Sequence, residues 1–195
     1  MLSDDEVIQS VQNGHIQDFE VIVNRYEKLI LNFIYKMISD YEEAQNITQD
    51  VFLKVFKTLN RYQRKDNFQA YIFTIAKNLT LNDIKKRKRV VFLSTLLRGN
   101  RADDYFRHDE DFQGHLEKEM REHQLTSAIK SLNENQRIAL ILKVYLRFSY
   151  KRIAEITGWS TPKIETLISR AKSQLKNKIF LQEKGIQNVK KVRKK

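Results

Sequence analysis

The sequence predicts an all-α protein of two small helical domains joined by a flexible linker, with a helix-turn-helix in the second domain. Five glycines and one proline among 195 residues make up about 3% of the chain, against roughly 12% in an average protein, so the turn residues that separate strands are scarce. Apolar residues recur every three or four positions over most of the chain, which is typical of helices with one buried face. This pattern stops around residues 93–115, and the break divides the chain into two domains.

The first domain, predicted for residues 1–92, begins with a short acidic helix near residues 4–12 and continues with three amphipathic helices. The apolar residues of these three helices follow the helical period, so each helix presents one face to the others. In chain order, the apolar faces consist of Phe19, Ile22, Val23, Tyr26, Leu29, Ile30, Phe33, Ile34 and Met37; then Ile47, Val51, Phe52, Val55, Phe56 and Leu59; then Phe68, Tyr71, Ile72, Ile75, Ala76 and Leu79.

The linker is predicted for residues 93–115, which contain two of the five glycines and a cluster of acidic side chains. A segment of this composition is expected to be extended rather than packed. The helical period returns after it, so the second helical domain is predicted for residues 116–181. A basic tail, residues 182–195, closes the chain.

The net charge of +12 is concentrated in two segments. Residues 85–101 carry seven Lys and Arg side chains and no acidic one, and residues 162–195 have a net charge of +9. Residues 1–60, in contrast, have a net charge of −5. Basic clusters favour a nucleic-acid partner, because Lys and Arg that neutralise phosphates release condensed counterions. For the run at 190–195 alone, we interpret the charge as a solubilising tail.

The composition also excludes several classes of function. The chain has no cysteine, so it forms neither a disulfide nor a cysteine-ligated metal site. It has no glycine-rich phosphate loop, no Ser–His–Asp order and no arguable pair of catalytic carboxylates, so we expect no enzymatic activity and no cofactor. No apolar run reaches the roughly 18 residues of a membrane span, and the acidic N-terminus does not resemble a signal peptide, so we expect a cytoplasmic protein.

One spacing is compatible with a metal site. His115, Glu119 and His123 are four residues apart, so on a helix they would share a face that could clasp a metal ion. A solvated helix face explains the same residues, and the sequence contains no further ligand motif. We therefore predict no metal site.

Residues 149–172 have the spacing of a helix-turn-helix. Ala154, Gly158 and Ile164 stand at offsets of four and six residues. The small residue allows the two helices to approach, the glycine takes a positive φ in the turn, and the isoleucine anchors the second helix. An ordinary helical hairpin is the alternative, but the adjacent basic segment favours DNA binding.

The second helix of this motif has a defined start and a polar outer face. Pro162 falls in its first turn, where the missing N–H costs nothing, and Ser160 or Thr161 can cap it. The outer face offers side chains that can reach base edges or phosphates in a major groove. These side chains are Lys163, Glu165, Thr166, Ser169, Arg170 and Lys172.

Aromatic and basic residues are interleaved near the end of the first domain. The aromatic residues are Tyr62, Phe68, Tyr71 and Phe73, and the cations that follow are Lys77 and the run at 85–89. Such a pattern can stack unpaired bases while the cations hold the phosphates. Aromatics at helical spacing are also typical of a core: Phe68 shares a face with Ile72, and Tyr71 fits either role.

Three segments stand in order along the chain: DYEEAQNITQDVFLKVF at 40–56, NFQAYIFTIAKNLTLNDIKKRKR at 67–89, and LNENQRIALILKVYLRFSYKRIAEITGWSTPKIETLISRAKSQL at 132–175. They resemble, respectively, the core-polymerase-binding segment, the minus-ten-recognition segment and the minus-thirty-five-binding domain of bacterial RNA polymerase sigma factors of the extracytoplasmic-function (ECF) group. The resemblance covers about residues 5–181.

The resemblance implies a non-catalytic protein that binds core RNA polymerase, places it on promoter DNA and helps open the duplex. It implies that the polymerase is contacted by Asp40, Glu42, Glu43, Gln49, Asp50 and Phe52. It implies that the minus-ten element is contacted by Tyr62, Phe68, Tyr71, Lys77, Asn78, Lys85, Lys86, Arg87, Lys88 and Arg89, among which Asn78 holds a flipped base. It implies that the minus-thirty-five element is contacted by Ser160, Thr161, Lys163, Glu165, Thr166, Ser169, Arg170 and Lys172. An anti-sigma partner is common in the family, although nothing in this sequence identifies one.

The chain departs from the family pattern at several positions. Gln45 and Asn46 replace a usual acidic pair, and Tyr71 replaces a common tryptophan. Glu165 and Leu167 stand where basic residues are frequent. Glu165 either accepts a hydrogen bond from a cytosine amino group or avoids the DNA.

Two other classes of function fit parts of the sequence. A stand-alone helix-turn-helix regulator would use the second domain for DNA and the first only to dimerise. A nonspecific single-strand binder would use the aromatic and cationic residues of 62–89. The segment at 40–56 discriminates, since only a sigma factor needs it to bind polymerase. We therefore predict an ECF-type sigma factor, with the regulator as the alternative.

Overall fold

The computed structural model describes residues 2–63, 67–98 and 125–192, and every regular element in these ranges is helical, as the sequence predicts. The helices are α1 (Asp4–Gln12), α2 (Phe19–Ile38), α3 (Tyr41–Thr58), α4 (Phe68–Arg98), α5 (Glu134–Leu140), α6 (Tyr150–Thr157) and α7 (Thr161–Val192). Short 3-10 turns lie at Ile16–Asp18 and Leu59–Arg61, a helical stretch at 125–130 and a π-helical turn at Ile141–Tyr145. None of the described helices combines the length and the apolarity needed to cross a bilayer.

Helices α1 to α4 form the first domain, whose core lies between α2, α3 and α4. The fully buried side chains of these three helices include Ile22, Ile30, Phe33, Ile34, Val51, Val55, Ile72, Phe73 and Ala76. A capping box between Ser3 and Glu6 starts α1. The Asp4 carboxylate then ties α1 to α2, because it accepts hydrogen bonds from Arg25 at 2.7 Å and from the Tyr26 hydroxyl.

Helix α4 is longer than the sequence indicates. The sequence predicts a linker from residue 93, whereas α4 continues to Arg98. Residues 93–98 include three leucines and an arginine, which favour helix, and the first glycine after them is Gly99. These residues therefore extend α4 into the predicted linker, and the rest of that linker lies outside the described residues. Helix α7 likewise continues to Val192, into the predicted basic tail.

The second domain contains the helix-turn-helix in α6 and α7. Gly158 has a φ of 72°, and its N–H donates to the Ala154 carbonyl at 2.7 Å, which closes the turn. Ile164 is fully buried on the inner face of α7, and Pro162 lies in the first turn of that helix. The residues at the diagnostic spacing thus have the roles that the sequence predicts for them.

The two domains pack directly against each other. The rings of Phe73 in α4 and Phe148 in the second domain meet edge to face, 5.0 Å between centroids. The Arg137 guanidinium donates to the Met37 carbonyl at the end of α2, at 2.6 Å. One cluster of buried residues runs through both domains, a contact that the sequence does not predict. Periodicity identifies a buried face but not which helix covers it, so this packing is not visible in the sequence.

Candidate nucleic-acid and protein interfaces

An open apolar groove of about 480 Å³ lies between α2 and α3 on the surface of the first domain. Phe19 and Phe56 pack edge to face along it, with 5.2 Å between ring centroids. Leu53 and Phe56 at this groove are 55% and 40% exposed. Large apolar side chains exposed side by side are typical of a surface that binds another protein. We call this surface the α2–α3 groove.

Part of the predicted polymerase-binding set lies at the α2–α3 groove. Gln49 and Phe52 line it, and Phe52 is only 8% exposed. Glu42 and Asp50 are exposed on α3 without lining the groove. The remaining two residues, Asp40 and Glu43, bind an arginine of α4, as described below.

Sequence reasoning missed two residues at this groove. The sequence predicts no role for Leu53 and a core position for Phe56, yet both are exposed and line the groove with Gln49. Their distances of four and seven residues from Gln49 put all three on one face of α3. That spacing, next to the predicted polymerase-binding residues, is the signal that could have found them.

Three carboxylates surround Arg87 at the junction of α3 and α4. Its guanidinium lies 3.0 Å from Asp40, 3.5 Å from Glu43 and 2.7 Å from Asp83. Asp40 also caps α3, since its side chain accepts a hydrogen bond from the N–H of Glu43 at 3.1 Å. Partial burial raises the pKa of Asp83 above its ordinary value, and Glu43 adds to this effect while Arg87 opposes it. Arg87, predicted to follow DNA phosphates, is therefore held in an intramolecular ion-pair cluster.

A polar and cationic strip runs along the exposed face of α4. Asn78, Asn82, Lys85 and Arg89 are spaced by four, three and four residues, so they share one face of the helix, and all four are exposed. Three of them line a shallow cleft together with Lys86. An amide at one end and cations along the rest suit an unpaired base and its phosphates. We call these residues the α4 strip; Asn82 is the member that sequence reasoning missed, although its spacing from Asn78 indicates it.

Two of the predicted minus-ten cations bind the second domain. The Lys77 ammonium donates to the Ile156 carbonyl at the end of α6, at 2.9 Å. Burial lowers the pKa of Lys77 below its ordinary value. Lys88 forms an ion pair with Glu134 at 2.7 Å. In this arrangement both cations connect α4 to the second domain.

The predicted aromatic residues of the minus-ten set pack on one another. Tyr62 and Phe68 are 7% and 3% exposed, and their rings meet edge to face at 5.5 Å between centroids. Tyr71 is half-buried, and its hydroxyl is hydrogen-bonded to that of Thr58 at 2.6 Å. Tyr62 and Phe68 therefore belong to the core of the first domain and would have to leave it to stack on a base, whereas Tyr71 packs at the edge of this core.

The outer face of α7 is exposed along its first turns. Every residue predicted to contact the minus-thirty-five element is exposed: Ser160, Thr161, Lys163, Glu165, Thr166, Ser169, Arg170 and Lys172. Sequence reasoning missed Trp159, which is half-buried at the start of this face and has the Lys163 ammonium 5.1 Å from its ring centroid. Trp159 lies in the turn and is not one of the polar side chains by which the DNA-contacting face is predicted. Only its position directly before Ser160 could have indicated it.

The candidate metal-binding residues His115, Glu119 and His123 lie outside the described residues. Within the ranges that the structure describes, no group of three His, Asp or Glu residues could hold a metal ion. The expectation of no metal site therefore stays a prediction for the full chain.

Two family models match this chain in order along the sequence. The family model of Sigma-70 region 2 matches residues 22–90, and that of Sigma-70, region 4 matches residues 122–175. The RNA polymerase sigma factor YlaC of Bacillus subtilis is 27% identical over 162 residues, which cover 83% of this chain and 92% of the relative. The ECF RNA polymerase sigma factor SigW of the same species is 24% identical over 88% of this chain and 94% of the relative.

Solved structures show the same fold. The sigma factor RpoE of Bartonella quintana, in complex with the anti-sigma factor NepR, matches with a TM-score of 0.67 at 24% identity and covers 84% of this chain and 97% of its own. CnrH, in complex with the cytosolic domain of CnrY, matches with a TM-score of 0.67 at 17% identity, over 90% and 96% of the two chains. These matches confirm the predicted all-α, two-domain fold. Because regions 2 and 4 match in order and the relatives span nearly the whole chain, the chain belongs to the ECF group of bacterial RNA polymerase sigma factors.

Proposed function

We propose that this sigma factor directs core RNA polymerase to specific promoters and helps open the DNA by means of three separate surfaces. The α2–α3 groove binds polymerase, the α4 strip contacts the minus-ten element, and the outer face of α7 contacts the minus-thirty-five element. One observation carries the proposal: an exposed apolar groove and an exposed cationic strip lie on the same small domain. The first suits a protein partner and the second suits a nucleic acid.

The α2–α3 groove has the properties of a surface that receives a helix of another protein. Leu53 and Phe56 supply exposed apolar contacts, and Gln49 supplies a polar one. The exposed acidic residues Glu42 and Asp50 lie nearby on α3 and would attract a basic partner surface. The family resemblance assigns this role to the clamp coiled coil of the polymerase.

The groove is tested by Leu53→Glu, with Lys54→Glu as the matched control. Leu53 is 55% exposed, so the new carboxylate should leave the fold intact while placing a charge on the apolar surface. Lys54 is the exposed neighbour that does not line the groove. Leu53→Glu should reduce co-purification with core polymerase at least about tenfold, whereas Lys54→Glu should bind as the unmodified chain does. Normal binding by both variants would exclude the groove as the docking site.

The two DNA-facing surfaces are tested together by transcription in vitro. Core polymerase alone should not initiate at defined positions on genomic fragments, and addition of the chain should produce discrete start sites. Tight binding of duplex DNA by the chain alone would instead support the stand-alone regulator. That alternative does not explain why residues 22–90 match the model of Sigma-70 region 2. Lys77 and Lys88 reach DNA in this proposal only after the second domain moves away, because both bind it here.

The proposal also covers catalysis, partners and location. The chain performs no chemical step, since sigma factors are initiation factors rather than catalysts. RpoE and CnrH were solved with an anti-sigma factor and with the cytosolic domain of CnrY, and we infer that this chain too has an anti-sigma partner. Because a sigma factor acts together with RNA polymerase, we infer that this chain is located in the cytoplasm.

A further inference from the structure

We propose that Arg87 is a positioning residue that fixes the first turn of α3 against α4, so that the α2–α3 groove and the α4 strip keep one relative orientation. The inference rests on the proposed function, because it gives Arg87 a role between two surfaces assigned there. The sequence places Arg87 among the phosphate-contacting cations of the run at 85–89. The structure instead gives its guanidinium three carboxylate partners.

The geometry of the cluster suits a guanidinium. Nε of Arg87 lies 2.7 Å from Asp83, four residues earlier on α4. Nη1 lies 3.0 Å from Asp40 and Nη2 lies 3.5 Å from Glu43, both on the α3 side of the junction. The guanidinium thus bridges two helices at once, through a hydrogen bond from Nη1 to Asp40 and ion pairs with the other two carboxylates. A lysine at this position offers a single ammonium and does not reproduce these three contacts.

The charges explain why removal of Arg87 would act on α3. Asp40, Glu43 and Asp83 would then face one another across the junction of the two helices, and Lys130, whose charge interacts with that of Asp40, would balance only part of their negative charge. The Asp83 side chain is only 14% exposed, so water screens this repulsion less than it would at the open surface. Asp40 is also the N-cap of α3, so the repulsion acts on the residue that starts the helix. Gln49 and Leu53 of the groove follow within the next turns of that helix.

Arg87 differs from the other arginine of the same basic run. Both side chains are exposed, but Arg87 binds carboxylates of two helices, whereas Arg89 lines the cleft of the α4 strip together with Lys85 and Lys86. The two arginines have the same chemistry and are two residues apart on one helix. They therefore form a matched pair in which one cation bridges helices and the other belongs to the α4 strip.

The first experiment compares Arg87→Ala with Arg89→Ala in two measurements: affinity for core polymerase, and the salt dependence of promoter binding by the saturated holoenzyme. Arg87→Ala should weaken polymerase binding roughly three- to tenfold, the scale of a lost ion-pair network, and should leave the salt slope unchanged. Arg89→Ala should bind polymerase normally, and its salt slope should fall by about one. Arg87→Lys should recover part of the lost affinity, and it replaces Arg87→Ala if the alanine variant does not fold.

The second experiment is a double-mutant cycle in polymerase affinity. Arg87→Ala and Glu43→Ala should be less than additive, because they break the same pairs, whereas Arg89→Ala and Glu43→Ala should be additive. Full additivity of the first pair, or a salt slope lowered by about one in Arg87→Ala, would overturn the positioning role. Leu53→Glu separates this failure from that of the proposed function. If Leu53→Glu binds polymerase normally, the groove is not the docking site. If Leu53→Glu loses polymerase binding but Arg87→Ala does not, only the role of Arg87 is refuted.

Discussion

Phe148→Ala should loosen the packing between the two domains while leaving the α4 strip and the outer face of α7 in place. Phe148 lies just before α6 and is half-buried, and its ring meets that of Phe73 edge to face at 5.0 Å between centroids. Phe73 belongs to the core of the first domain and is fully buried. The substitution therefore removes one half of a contact whose other half lies in the other domain.

The size of the effect follows from the burial of the ring. Truncation of a core Phe to Ala costs about 3–5 kcal/mol, and a half-buried ring should cost about 2 kcal/mol. This value includes about 1 kcal/mol for the aromatic pair itself. Since the partner ring is in the first domain, we expect most of the loss to fall on the docked arrangement. A change of about 2 kcal/mol shifts the equilibrium between docked and separated domains roughly 30-fold.

Small-angle scattering and thermal unfolding together measure this effect. Phe148→Ala should increase the radius of gyration and separate the unfolding of the two domains into distinguishable transitions. The control is Phe92→Ala, since Phe92 is an α4 side chain that is 66% exposed, and it should change neither quantity. An unchanged scattering profile with a lowered Tm would show that the lost energy lies inside the second domain and would refute the reasoning.

Three further predictions concern single residues. Asn78→Ala should reduce open-complex formation and leave polymerase binding intact, whereas Asn32→Ala, an exposed amide on α2, should change neither; equal loss of both activities would remove Asn78 from the minus-ten contact. Arg170→Ala should lower the salt slope of promoter binding by about one, and Lys151→Ala, exposed on α6, should leave it unchanged; an unaltered slope and affinity in the first variant would exclude that phosphate contact. Gly158→Ala should lower the free energy of unfolding by about 1 kcal/mol, because Gly158 has a φ of 72° that disfavours a side chain while no atom obstructs a Cβ there; urea denaturation checks this value, and an unchanged midpoint would contradict it.

The helices and the helix-turn-helix could be predicted because their signals are local. A buried helix face repeats within a few residues, and the positions of Ala154, Gly158 and Ile164 define the turn without reference to the rest of the chain. The end of α4 could not be placed from the same signal. The composition of residues 93–98 favours helix, but the apolar period that marks a buried helix face stops at residue 93, so this signal places the end of the helix too early.

The candidate interfaces were harder to predict because partners distant in sequence decide them. Arg87 and Arg89 belong to the same basic run, but the ion pair of Arg87 is formed with Asp40, which lies 47 residues earlier in the chain. Phe56 follows the period of the core face of α3, yet it lies at the edge of that face and is exposed in the groove. Phe68 could serve a base or a core, and its edge-to-face contact with Tyr26 at 5.6 Å places it in the core.

The docked arrangement of the domains has a geometric consequence for promoter binding. Lys77 precedes Asn78 of the α4 strip and donates to Ile156 at the end of α6, so the helix-turn-helix begins within hydrogen-bond distance of α4. The proposed function places Lys77 at DNA phosphates, whereas its ammonium here donates to a carbonyl of the second domain. We therefore expect the contact between Lys77 and Ile156 to break when the holoenzyme binds a promoter.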